Sequence, residues 1–179
     1  RGPRVIRSAL CSPQGGRVLA RLAFVPFVAL TLHLVGCALP AREAPGAVQS
    51  EVIARLGQPT AIFALPSGQR LLYSELPAGF AAYNLDFDAT GRLVRNEQVL
   101  TQTRFENIPT GVWTLADVQR TFGPPLLVER VARFDGDIWT YRFRQNSDPR
   151  LAHVHMDRQG LVRMVMVTDE LPLFYNARD

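Results

Sequence analysis

The chain has 179 residues, 47% of them apolar and 20% charged, with a formal net charge of +4. These fractions belong to one globular domain of ordinary size or two small ones, and they exclude wholesale disorder and a polytopic membrane protein. The positive charge is local: Arg1, Arg4, Arg7, Arg17 and Arg21 precede any acid, whereas 15 arginines face 16 carboxylates after residue 37, so no nucleic-acid surface is expected.

The chain opens on an arginine-rich stretch without acids (residues 1–21), followed by an apolar run from Leu22 to Val35 that is interrupted by Pro26 and His33. A basic segment, an apolar run and then small residues are the layout of a secretory signal, here residues 1–36. The run is too short for the roughly 20 residues of a spanning helix. Leu34-Val35-Gly36-Cys37 resembles the bacterial lipobox. That resemblance implies cleavage between Gly36 and Cys37, transfer of a diacylglyceryl group to the Cys37 sulfur, palmitate among the acyl chains that Cys37 carries, and, because Ala38 follows, transfer to the outer membrane. Translation is expected to start near Val18 or Leu19, which leaves residues 1–17, with Cys11, outside the precursor. Cys37 is then the mature chain's single cysteine, and neither a disulfide nor thiol catalysis is expected. The Pro-, Ala- and Gly-rich residues after the lipidated Cys37, through 48, read as a flexible tether reaching at most about 36 Å.

The remainder repeats itself. Val52, Leu56, Gly57 and Pro59 return 66 residues later as Val118, Phe122, Gly123 and Pro125. Tyr73 returns as Tyr141 at an offset of 68. Leu85-Asp-Phe87-Asp88-Ala-Thr-Gly91 returns as Val154-His-Met156-Asp157-Arg-Gln-Gly160 at 69. Offsets that grow only between blocks place the insertions in loops.

In the first unit, residues 49–104, a short helix is expected to start at a Ser50 cap, carry Val52, Ile53 and Leu56 on one face, and end at Gly57 in the left-handed region, with Pro59 beyond. Strands follow over 60–65, 70–75, 81–87 and 92–100, the last two joined by an Asp88-x-x-Gly91 turn. In the second unit, residues 105–170, Thr114 caps the helix with Asp117 three residues on, and Gly123 and Pro125 end it. Strands are expected over 126–134, 138–144, 151–156 and 161–168, with turns at 135–137 and Asp157-x-x-Gly160. The strand 161–167 is apolar at nearly every position and is expected to be covered on both faces, by the first unit or by the tail 171–179. The fold class is therefore α+β: two tandem units, each a short helical segment packed on an antiparallel β-sheet.

The second unit, with Trp113, the Leu115–Pro125 helix and its end, Trp139-Thr-Tyr141 and the Asp157–Gly160 hairpin, resembles the SmpA/OmlA (BamE-like) family of small outer-membrane lipoproteins. The first unit matches more loosely, with Leu71-Leu-Tyr73 in place of Trp-x-Tyr. The unit is also similar to the tandem repeats of β-lactamase-inhibitor proteins. Family membership implies periplasmic exposure and a non-catalytic role in outer-membrane assembly or envelope integrity. Its partners would be other envelope proteins, barrel-assembly components among them. The family assembly subunit carries one unit, whereas this chain carries two.

Residues with other chemistry are few. His153 and His155 share a strand face with Asp157, an arrangement that holds zinc or copper only with a fourth ligand from elsewhere; as a solvated polar face it needs no metal. Asp86 with Asp88 and Asp135 with Asp137 are paired carboxylates of the type used in acid–base chemistry, although one of each pair suits a turn. No cofactor and no enzymatic activity are expected. The candidate partner-binding residues are Trp113, His153, His155, Phe174 and Tyr175. Two rival classes follow from the same residues: a periplasmic inhibitor or sensor with a concave surface between its units, and an enzyme or metal carrier around His153 and His155.

Overall fold

The computed structural model describes residues 38–171. The signal, the Gly36–Cys37 junction and the tail residues Phe174 and Tyr175 lie outside the described residues. Among those described, no helix is long and apolar enough to cross a membrane.

Two four-stranded antiparallel meanders make up the fold, mixed α+β and mostly strand. The first contains β1 (Ala61–Leu65), β2 (Gly68–Ser74), β3 (Ala82–Asp88) and β4 (Leu93–Gln98), preceded by α1 (Gln49–Leu56). Helices α2 (Gln102–Glu106) and α3 (Leu115–Phe122) then lead to β5 (Leu127–Glu129), β6 (Gly136–Gln145), β7 (Asp148–Asp157) and β8 (Val162–Asp169).

The repeat read from the sequence recurs bond by bond. Tyr73 Oη donates to the Gly57 carbonyl at 3.0 Å, and Tyr141 Oη to the Gly123 carbonyl at 2.9 Å. Asp88 Oδ1 accepts the amides of Thr90 and Arg92, and Asp157 Oδ1 those of Gln159 and Leu161. The Gln49 amide reaches the Gly91 carbonyl as the Leu115 amide reaches that of Gly160. Val94 and Arg163 are the extra residues of two equivalent bulges, between Asp86/Phe87 on β3 and between His155/Met156 on β7. In the second copy the bulge lets both Val162 and Val165 face the core across an odd spacing.

The two tyrosine bonds differ in burial. Tyr141 is fully buried, which pushes its hydroxyl's pKa far up, whereas Tyr73 keeps a little exposure. Tyr141→Phe leaves a buried carbonyl unpaired and is expected to cost about 1–2 kcal/mol, against about 0.5–1 for Tyr73→Phe. Urea unfolding of the two variants checks the order.

Sequence and structure differ at several points. Residues 38–48 do not form a free tether throughout. Pro40–Arg42 make a 3-10 turn, Asn96 Nδ2 donates to the carbonyls of Pro40 and Glu43 at 2.8 and 2.9 Å, and Gly46 and Ala47 bond across to Leu93. Proline lacks an amide but keeps a carbonyl, so Pro40 serves the sheet as an acceptor, while the Gly46 amide donates to the Leu93 carbonyl. Helix α1 starts at Gln49 without a side-chain cap, because Val48 bridges Arg92; Ser50 lies inside the first turn. Thr114 and Asp117 do form the expected capping box. Gly57 and Gly123 have positive φ but ψ of −170° and −160°, outside the left-handed helical well and in a region essentially reserved for glycine.

Two more differences concern the second sheet. Strand β5 stops at Glu129, and Gly136 and Asp137 belong to β6 rather than to a turn. Strands β6 and β7 run on to a two-residue turn at Asn146–Ser147, both with positive φ, the geometry that matches strand twist in a tight hairpin. Among the described residues strand β8 is covered on one face: Val162, Val165 and Val167 meet the core, while Met164 and Met166 are 42% and 45% exposed, and most of the tail expected over the second face lies outside the described residues.

Two buried clusters form. One holds Val52, Leu71, Tyr73, Leu85, Phe87 and Leu93. The other gathers Phe105, Val118, Phe122, Trp139, Tyr141, Phe143 and Val154, and also Ala82, Val99 and Leu100 from the end of the first sheet. A cut near residue 104 therefore does not separate two independent cores.

Candidate interaction surface

The pairing register places two rows of side chains across the face of the second sheet opposite its core. One row is Leu127, Thr140, His153 and Met166; the other is Glu129, Ile138, His155 and Met164. The equivalent rows of the first sheet are Ala61, Leu72, Asn84 and Glu97, and Phe63, Arg70, Asp86 and Arg95.

On the first sheet these rows meet the C-terminal end of α3. Asn84 Nδ2 donates to the Thr121 carbonyl at 2.9 Å, and Arg70 Nη1 approaches the Arg120 carbonyl at 3.5 Å. Gly123 lies so close to Leu72 that an added Cβ would sit 2.8 Å from Leu72 Cδ2. Arg70 grips Asp86 through two bonds of 2.6 and 2.8 Å, the bidentate geometry that makes a partly buried pair strong. The rim residue Glu97 is held by Arg95 and Arg104.

The second sheet's rows differ in chemistry and in cover. His153 lies between two hydroxyls, Nδ1 at 2.9 Å from Thr140 Oγ1 and Nε2 at 3.0 Å from Thr168 Oγ1. His155 is buried beneath Phe134, whose ring stands edge-on at 5.1 Å, and its Nδ1 has no hydrogen-bond partner among the described residues. Asp157 is committed to its turn and to Arg163 at 2.5 Å. The three do not converge, and among the described residues no group of three His, Cys, Asp or Glu is placed to hold a metal ion. Leu127, Met164 and Met166, with 47%, 42% and 45% of their surface exposed, form an apolar border around the Thr140–His153 centre.

Both imidazoles are held below the ordinary histidine value, chiefly by desolvation. Glu129 opposes the shift at His153, and His153 reinforces it at His155. With the folded value depressed, the unfolded chain binds protons first as the pH falls. Stability fully present above about pH 6.5 is therefore lost on going below it. Denaturation midpoints are expected to fall between about pH 7.5 and 5.5. The fall should shrink in the double variant His153→Asn, His155→Gln; a wild-type midpoint indifferent to pH over that range would contradict the assignment.

Beside Phe134 opens a cleft of about 900 Å³ lined by Arg130, Phe134, Asp135, Asp137 and Arg158 among others. Asp137 bonds Arg130 at 2.5 Å, which holds its carboxyl below the usual range, and Asp135 bonds Arg158 at 2.5 Å. With Asp86 on Arg70 and Asp88 in its turn, each of the four carboxylates considered for acid–base work already has a cation or backbone amides to balance its charge. Trp113 is half-buried, its ring 6.2 Å from that of Phe122, and its carbonyl accepts the Val162 amide. The structure thus brings His153 and His155 together and leaves Trp113 apart at the helix entrance. Met164, Met166, Leu127 and Phe134 complete the face. The apolar run 161–167 contains the methionines, but nothing in it distinguishes the face they share.

No family model matches the chain, and no curated protein matches it. Among solved structures, a DUF4309 family protein (YjgB) from Bacillus subtilis is similar, at 17% identity over 69% of this chain and 79% of that one, with a TM-score of 0.30. Overlap at that level fixes neither a shared fold nor a shared role.

Proposed function

We propose that the protein is a non-catalytic lipoprotein, anchored through acylated Cys37 to the outer membrane on its periplasmic side. It acts by protein contacts in envelope integrity or outer-membrane protein assembly. In this reading it is a tandem form of the SmpA/OmlA (BamE-like) unit, each copy a short helix packed on an antiparallel sheet. The observation that carries the proposal is the position of Leu34-Val35-Gly36-Cys37 at the end of the apolar run. Supporting it, the chemistry shared by the two copies is that of turns and tyrosine–carbonyl bonds, which build a scaffold, while Asp86, Asp135 and Asp137 each pair with an arginine and Asp88 is held in its turn.

Photocrosslinkers at Trp113, at His153 and at Phe174 in living cells test the role. Discrete adducts with an envelope protein, lost when Cys37 is replaced by serine, are expected. Adducts confined to cytosolic proteins would contradict the proposal, and capture of a soluble hydrolase alone would favour an inhibitor.

A further inference from the structure

The two sheets present equivalent faces, but only the first has a cover among the described residues. Its rows are closed by the end of α3, supplied by the chain that follows β4. On the second sheet the β5–β6 connection brings Phe134 over His155, and the remaining border of Leu127, Met164 and Met166 stays open. The first sheet carries Glu97 and Arg95 where the second carries Met166 and Met164, so the open face is also the more apolar one. Exposed methionines beside a partly buried Thr–His–Thr hydrogen-bond row suit an apolar segment lying across the strands.

We infer that this face docks the chain's own residues 172–179, with Phe174 and Tyr175 against Met164 and Met166. Three observations select that occupant. By the repeat, the covering element comes from the chain following the sheet's last strand, and here that chain is 172–179. Its composition, Pro-Leu-Phe-Tyr-Asn-Ala-Arg-Asp, starts apolar and aromatic and ends charged. The exit from β8 also points the right way: the Glu170 amide bonds the Pro149 carbonyl, and the Glu170 carboxylate pairs with Arg142, whose side chain shares the face of Thr140. Eight residues reach at most about 26 Å, more than the roughly 14 Å of three strand spacings between Met166 and Leu127. Tethering supplies a high effective concentration that a separate partner would lack. A partner competing for this face would first displace the segment.

The chain's three methionines make the test direct. Methyl resonances of Met164 and Met166 are recorded in the full chain, in a form ending at Leu171, and in Phe174→Ala with Tyr175→Ala. Met156, fully buried in the core, reports that the fold is intact. Both changes are expected to move the Met164 and Met166 signals and leave that of Met156 in place. Signals of Met164 and Met166 unmoved by truncation would overturn the inference, and so would signals that shift only with protein concentration, which would assign the face to a second copy. Neither result touches the acylation of Cys37.

Discussion

Gly136→Ala is expected to separate β6 from β7 at the start of their pairing and cost at least about 4 kcal/mol, a size rare for a single substitution. An added Cβ would lie 1.9 Å from the Met156 carbonyl oxygen and 2.8 Å from Asp157 Cα, where Gly136 pairs with Asp157. These are backbone atoms, so no rotamer change relieves the overlap, and the strand must leave the ladder. Gly68 has the same relation to Phe87, its Cβ position 1.9 Å from that carbonyl oxygen, and Gly68→Ala should act alike on the first sheet. Gly111→Ala is the comparison: φ there is +75°, but nothing lies within 4 Å, so only backbone strain of about 1–3 kcal/mol remains. Thermal unfolding of the three variants, with chevron or urea analysis where they fold, reads the difference. Equal losses for Gly136→Ala and Gly111→Ala would mean that the strands do not approach so closely.

Phe122→Ala should be comparably severe, at about 3–5 kcal/mol. Phe122 is fully buried, stacked on Phe105 with ring centroids 4.5 Å apart and tilted against Tyr141 at 5.6 Å. Removing it empties the centre of an aromatic cluster whose rings are too rigid to collapse into the space. Its counterpart Leu56 is only partly buried, so Leu56→Ala should cost about 1–2 kcal/mol. Against a total stability of about 5–15 kcal/mol, the first change threatens folding and the second does not. Urea midpoints that rank the pair the other way would place the principal core in the first sheet.

The repeat was legible because the residues that recur are those with mechanical reasons to recur. Asp88 and Asp157 accept turn amides, Gly57 and Gly123 have positive φ, and Tyr73 and Tyr141 bond the carbonyls of those glycines. Gly68 and Gly136 carried the same signal, at the offset of the tyrosines, but lay where a turn also explained a glycine. The ordering of residues 38–48 was hidden because it depends on Asn96, more than 50 residues away and ordinary as a strand residue. Strand β8 is a different case: a near-continuous apolar run identifies two apolar faces but not which element covers the second. The paired-histidine motif was visible by spacing alone, while Thr140, Thr168 and Phe134, which supply its hydrogen-bond partners and cover, come from other strands and a loop.

Metabolic labelling with a palmitate analogue, compared between the wild-type chain and Cys37→Ser, addresses the membrane anchor on which the proposed role depends. Label on the wild-type chain, none on Cys37→Ser, and release of that variant from the membrane fraction are the predicted results. An unlabelled wild-type chain, or label that survives the substitution, would contradict a lipid-anchored protein.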